Sequence, residues 1–334
     1  MSTPPAPPPA STSASVPALP LAEALARGPL VLDGGLSNQL RAQGCDLSDE
    51  LWSARLLADD PAQVEAAHTV YARAGARVLI TGSYQASHPG FARRGLDGAE
   101  TDALLRRSVA LARAAAGETG GPVWVAASVG PYGAVLADGG EYRGRYGLTV
   151  AGLERFHRPR IEALASAAPD ALALETVPDA DEAEALLRAA AGCGVPVWLS
   201  YTVAGPRTRA GQPLADAFAV AAGNDQVIAV GVNCCDPRDA TPAVRLAARA
   251  TGKPVVVYPN SGEGWDAGRG AWTGGTVFDP AAARIWVRDG ARLVGGCCRV
   301  GPAEIAALAA ELGAGADREA GRGTEPGPGP GPEG

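Results

Sequence analysis

Histidine occurs three times in the 334 residues. That leaves little for a hydrolytic zinc centre, which prefers His and carboxylate ligands around an activated water. Aromatic residues make up only 5% of the chain against 46% hydrophobic residues in all, so a sizeable core has to be built from Ala, Val and Leu. No apolar run approaches the roughly 20 residues of a membrane span, which excludes a transmembrane helix. There is no Lys/Arg run and the net charge is −7, which excludes bulk electrostatic recruitment of nucleic acid and mainly favours solubility. The first 20 residues hold no Lys or Arg and no apolar middle, so they do not read as a secretory signal, and a cytoplasmic protein is expected.

What is present divides the chain in three. Residues 1–20 are rich in Pro, Ser and Ala, and residues 316–334 end in a Gly-Pro tract. Both are expected to be disordered tails, because neither has enough apolar content to offset chain entropy. Residues 21–315 contain no linker and are expected to form one domain. Within it, eight β-branched runs alternate with Ala/Leu-rich amphipathic stretches: 29–35, 77–84, 123–130, 171–178, 197–203, 227–235, 254–260 and 291–298. Their apolar residues are nearly continuous, as in parallel strands buried on both faces. Asp60-Pro61, Asp236-Pro237 and Asp279-Pro280 read as helix starts, with Pro in the first turn behind an Asp cap. Eight strands alternating with helices predict an α/β fold, a single (β/α)8 TIM barrel. The alternative is a doubly wound sheet, but Asp33-Gly34-Gly35-Leu36 after the first strand lacks the G-x-G-x-x-G spacing.

Active residues of such a barrel sit at the C-terminal ends of its strands. Two of those ends carry paired thiols, Cys234-Cys235 on strand six and Cys297-Cys298 on strand eight. A lone strand Cys is usually a small buried hydrophobe. Two vicinal pairs around one rim instead predict a metal site of three thiolates with a fourth position open, the layout of a catalytic rather than a structural zinc. Spacing alone leaves Cys234 and Cys235 as alternatives. Gly295-Gly296 are expected to permit close backbone approach and unusual φ/ψ beside the metal. Cys45 and Cys193 are read as ordinary thiols. His68 and His157 fall in helical stretches and are expected at the surface; His88 follows strand two and is expected to stay outside the chemistry. Asp33 and Glu175 stand at strand ends, where a carboxylate is either ion-paired structure or a ligand for a cation.

The stretches Ser83-Tyr84-Gln85-Ala86-Ser87, Gly130-Pro131-Tyr132-Gly133-Ala134, Glu175-Thr176-Val177-Pro178, Gly231-Val232-Asn233-Cys234, Tyr258-Pro259-Asn260-Ser261-Gly262-Glu263 and Gly295-Gly296-Cys297-Cys298-Arg299 resemble, in order, the homocysteine S-methyltransferase family. The segment 128–146, with Leu136-Ala137-Asp138-Gly139, looks like the branch that uses S-methylmethionine or S-adenosylmethionine rather than betaine. The resemblance implies zinc held by Cys234, Cys297 and Cys298, with Cys235 a neighbour, and a homocysteine amino group bound by Asp33 and Glu175. It implies small-molecule partners, homocysteine and a sulfonium donor, with no nucleic acid or membrane partner. One departure is Ser37-Asn38-Gln39, where relatives usually have Ala-Thr and an acidic residue. Folate- and cobalamin-using relatives carry long additional domains, which are not expected here, so the resemblance implies neither folate nor cobalamin as donor carrier.

The chemistry follows from the groups. A free thiol with a pKa of about 8.5 is mostly protonated at neutral pH, whereas a zinc-bound thiol is a thiolate and a nucleophile. A substrate thiol in the open position then needs no protein base, in keeping with the scarcity of His. A sulfonium donor is a cation and calls for aromatic faces or carboxylates, for which Tyr84 and Trp52 are the aromatic candidates. The competing readings are a zinc hydrolase, disfavoured by the few histidines, and a non-catalytic zinc or thiol buffer, disfavoured by a carboxylate-lined mouth.

Overall fold

The computed structural model describes residues 17, 19–266 and 271–322. The expected tails fall largely outside these residues. At the back, however, the last helix, Pro302–Arg322, runs past the boundary expected at 315.

All eight expected strands form: β1 (Leu30–Val31), β2 (Val78–Ile80), β3 (Trp124–Val129), β4 (Ala171–Val177), β5 (Val197–Tyr201), β6 (Val227–Asn233), β7 (Val255–Tyr258) and β8 (Ala291–Val294). Each pairs in parallel with its sequence neighbour, and β1 pairs with β8. A parallel bridge between Leu32 and Val78 joins β1 to β2, supported by Arg77 N donating to Val31 O at 2.7 Å and Asp33 N donating to Val78 O at 3.1 Å. The ring is therefore a single (β/α)8 barrel. The strands stop one to four residues short of the ends of their apolar runs, because the last residues of each run peel away into the loops that form the mouth.

The core has two shells. Between sheet and helices lie mostly Ala, Val and Leu, as the composition requires. Inside the barrel, Leu32, Val78, Ala126, Ala173, Ala229 and Leu293 pack with two of the few aromatics, Trp124 and Trp198. The short helix Leu21–Arg27 closes the lower end, with Leu21 and Leu25 each 1% exposed, and Trp124 Nε1 donates to Leu19 O at 2.9 Å. Side chains alternate along a strand. Two residues beyond Ala126, Ala173, Trp198 and Val256 the same inward face therefore presents Ser128, Glu175, Ser200 and Tyr258, and four beyond Ala229 it presents Asn233, all buried.

Two of the expected helix starts stand: Pro61 opens Pro61–Arg73 behind Asp60, and Pro237 opens Pro237–Thr251 with the Asp236 side chain accepting from Arg238 N. At the third, Asp279-Pro280 forms a turn in which Asp279 accepts from Ala281 N at 2.9 Å, and the helix begins only at Ala282. The surface placement expected for His68 and His157 is overturned, since both are 0% exposed. His68 shares a helix face with Val64, Ala67 and Tyr71, and His157 shares one with Leu153, Ile161 and Leu164. Their helical phase put them inside. His157 is satisfied there by Glu182 Oε1 at 3.0 Å and Arg160 Nη2 at 2.7 Å. No partner among the described residues reaches either His68 nitrogen.

Candidate metal and substrate site at the barrel mouth

The sulfur atoms of Cys234, Cys297 and Cys298 lie within 4.8 Å of one another. Cys234 stands one residue beyond β6 with φ 49°, a left-handed conformation uncommon for a non-glycine residue. Its backbone N–H donates to Tyr258 O at 3.1 Å. The thiol is thereby turned toward the mouth, while Cys235, the next residue, is 1% exposed in the outer hydrophobic shell. Cys297 and Cys298 lie beyond the end of β8, where Cys297 N donates to Pro259 O at 2.8 Å and Cys298 N to Asn260 Oδ1 at 3.1 Å. Off the strand they need not face opposite sides. Neither Gly295 nor Gly296 takes a positive φ, so the unusual torsion expected of them falls on Cys234 instead. What the glycines supply is proximity: a Cβ on Gly295 would stand 2.6 Å from Leu32 Cβ, and one on Gly296 2.1 Å from Val300 Cγ1.

Cys234 Sγ and Cys298 Sγ are 3.9 Å apart. Three thiolates bonded tetrahedrally at about 2.3 Å to one zinc ion would be separated by about 3.8 Å, so the cluster fits that ion in donor type and spacing. As thiols the three share protons unevenly. Hydrogen bonds from Cys234 and Cys297 hold Cys298 well below the ordinary thiol range, and hydrogen bonds with Cys234 and Cys298 push Cys297 up.

Beside the thiols, Glu175 is anchored at both oxygens. Oε1 accepts from Ser128 Oγ, and Oε2 accepts from Tyr258 OH at 2.9 Å. Trp198 Nε1 donates to the same tyrosine oxygen at 3.2 Å, and Ser200 lies 2.9 Å from it. Burial pushes the Glu175 carboxyl up to about 7, with the hydrogen bonds from Ser128 and Tyr258 opposing the shift. Asp33 accepts from Ile80 N at 2.8 Å. Burial raises its carboxyl well above the usual range, and the charge of Glu175 adds to the rise. Two carboxylates that repel across a buried site are the surroundings in which a ligand cation is favoured.

All seven residues singled out from the sequence, Asp33, Trp52, Tyr84, Glu175, Cys234, Cys297 and Cys298, line one cavity of about 470 Å³ at the mouth. Trp52 has Arg41 over its ring at 5.9 Å, so one aromatic face is already taken by a cation. His88 is not among the lining residues and instead contacts Asp102 at 2.9 Å. Sequence reasoning missed Glu141 and Tyr142, which line the same cavity. Tyr142 OH stands 3.2 Å from Cys234 Sγ, while 38% of the residue is exposed at the rim. The available signal was an acidic-aromatic pair just after Gly139-Gly140 in the long segment behind β3. It also missed what Asn38, within the atypical Ser37-Asn38-Gln39, does: its Oδ1 accepts from Arg299 N at 2.8 Å and ties the helix Leu36–Ala42 to the Cys297-Cys298 loop.

Fold and site together define a barrel enzyme with a three-thiol cluster suited to a soft metal. The sequence pattern of the homocysteine S-methyltransferase family matches residues 30–312. The homocysteine S-methyltransferase of Escherichia coli K12 is 46% identical over 292 residues, covering 84% of this chain and 94% of that protein. Homocysteine S-methyltransferase 4 of Zea mays is 44% identical over 305 residues, covering 85% and 89%. Among solved structures, the metallated form of the E. coli homocysteine methyltransferase MmuM superposes with a TM-score of 0.78 at 44% identity, covering 87% of this chain and 99% of that one. Its oxidized form gives 0.75 at 44% identity, covering 84% and 95%. The chain belongs to the homocysteine S-methyltransferase family.

Proposed function

We propose that this protein transfers a methyl group from a sulfonium donor, S-methylmethionine or S-adenosylmethionine, to the thiol of homocysteine, giving methionine, with zinc as cofactor. The observation that carries the reading is the placement of the Cys234, Cys297 and Cys298 thiols, spaced for one zinc ion, in the same cavity as the buried carboxylates Asp33 and Glu175. Zinc held by the three cysteines would supply a Lewis acid that keeps a fourth sulfur, that of the substrate, ionised at neutral pH.

The remaining work falls to side chains. Glu175, fixed by Ser128 and Tyr258, and Asp33, fixed by Ile80 N, take the ammonium of homocysteine and so aim its short side chain at the thiol cluster. The homocysteine thiol gives its proton to solvent. Its sulfur lone pair then forms the new bond to the methyl carbon, and the old carbon–sulfur bond breaks with its electron pair returning to the donor sulfur. The donor leaves as a neutral thioether.

The test is methyl transfer by purified protein with homocysteine and each donor in turn, together with metal content. Turnover with at least one sulfonium donor, one zinc per chain and loss of turnover on chelation are expected. Absence of transfer from both donors would sink the proposal. Residues 1–16 and 323–334 are proposed to take no part in this activity, and no helix among the described residues is long and apolar enough to cross a membrane.

A further inference from the structure

The loop between β3 and the helix Val150–Ala165 brings a carboxylate to the wall of the cavity. Glu141 lines the cavity with the three cysteines. Among the described residues no hydrogen-bond donor reaches its buried Oε2. Arg143 acts on the Glu141 carboxyl through its charge and lowers it, but its Nη2 donates to Asp138 Oδ2 at 2.8 Å. Burial raises the Glu141 carboxyl, and the charges of Cys234 and Asp138 add to the rise. Oε2 is itself closed to solvent, so what this wall offers a cation in the cavity is the charge of the carboxylate rather than a direct contact to that oxygen.

The loop is held firmly enough to aim that group. A Cβ on Gly133 would stand 2.4 Å from Glu141 N, so only glycine permits the helix Tyr132–Leu136 to pack this close. Gly144 N and Tyr146 OH both donate to Gly140 O, at 3.0 and 3.3 Å. The next residue, Tyr142, reaches Cys234 Sγ, which places Glu141 on the wall beside the thiols. Asp33 and Glu175 approach from the ends of β1 and β4 and are accounted for by the acceptor's ammonium.

A second cation remains. In a sulfonium donor the positive charge sits on the sulfur, one bond from the carbon that moves, so it must come close to the acceptor sulfur. Resting on the functional reading above, we propose that Glu141 recognises the sulfonium centre of the methyl donor and so selects the charged donor over its neutral thioether product, with Tyr84 and Tyr142 lining the same space. When the methyl carbon bonds to the acceptor sulfur, the donor's carbon–sulfur bond breaks and its electron pair cancels the sulfonium charge. The attraction to Glu141 then disappears, and the product is released.

The experiment is steady-state kinetics of the zinc-loaded full chain, wild type against Glu141→Gln and Glu141→Asp, with S-methylmethionine and with trimethylsulfonium, which has no ammonium. Glu141→Gln should raise the KM of both donors by about tenfold or more, the scale of one lost charged contact. The homocysteine KM and the zinc content should stay within twofold, and inhibition by methionine, a neutral thioether, should be unchanged. Glu141→Asp should fall between. An unchanged donor KM in Glu141→Gln, or donor and homocysteine KM values rising together, overturns the inference. A loss confined to S-methylmethionine would give the carboxylate to the donor's ammonium and also overturn it. Wild-type protein that transfers from neither S-methylmethionine nor S-adenosylmethionine would refute the functional reading itself.

Discussion

At the scale of single residues, the vicinal cysteines make the sharpest contrast. Cys234 and Cys235 are adjacent, yet the first faces the cavity and the second packs in the outer shell. Cys234→Ala, Cys297→Ala and Cys298→Ala are each expected to lose zinc, and Cys235→Ala to keep it, as read by metal analysis of purified protein; zinc lost from Cys235→Ala but kept by Cys234→Ala would reverse the assignment. Glu175 is expected to act on the substrate and not on the metal. Loss of a charged hydrogen bond costs roughly 1.5–3 kcal/mol, so Glu175→Gln should raise the homocysteine KM about ten- to a hundredfold at 1.4 kcal/mol per tenfold, with zinc content unchanged. Its carboxyl is pushed up to about 7 by burial, and only the ionised form attracts an ammonium. The wild-type homocysteine KM should therefore fall as pH rises through about 7, and Glu175→Gln should show no such step. A step of equal size in the variant would assign it to another group.

At the scale of elements, the helix Pro61–Arg73 holds a fully buried His68 without a hydrogen-bond partner among the described residues. Burial lowers its pKa to about 4, against about 6.5 in an unfolded chain. Between these values the unfolded state binds a proton that the folded state does not. The stability held above pH 6.5 is therefore lost as pH falls toward 4, by about 3 kcal/mol at 1.36 kcal/mol per unit. Urea unfolding of wild type and His68→Leu at pH 7.5 and 4.5 isolates this one group, because the other titrations are common to both proteins. The variant should lose less stability on acidification, and identical losses would refute the burial argument. Apolar residues at helical spacing around position 68 already marked that face as the core side, so the inward placement was legible; the missing partner was not, because it depends on what the neighbouring elements present.

At the scale of the whole molecule, the barrel depends on its lower plug. Leu21 and Leu25 cover the bottom of the inner shell. Truncating a buried Leu to Ala typically costs about 2–5 kcal/mol. Leu25→Ala should therefore lower Tm by at least about 4 °C, at roughly 2–4 °C per kcal/mol for chains of this order. Removing residues 1–16 and 323–334, whose composition offers little apolar surface, should leave Tm within about 1 °C by the same scale. Scanning calorimetry of the three proteins would check both. A large drop on trimming alone would show that the ends contribute to the core.

What the sequence determined by itself is what depends on periodicity and order along the chain. Eight nearly continuous apolar runs separated by amphipathic stretches specify parallel strands covered on both faces, and hence the barrel. Chemistry-bearing residues toward the ends of those runs, Asp33, Glu175 and the two thiol pairs, then have to meet at one mouth, because parallel strands all end on the same side. Tertiary structure decided what depends on the path of the chain after the strand ends. A left-handed φ at Cys234, rather than any feature of its neighbourhood in sequence, separates its direction from that of Cys235. Glu141 lies in a loop whose turns are closed by Gly133 and Tyr146, and only that closure carries its carboxylate across to the thiols. Strand periodicity is a local property of the backbone, whereas the aim of a loop side chain is set by contacts between segments far apart in sequence, and no spacing rule encodes those contacts.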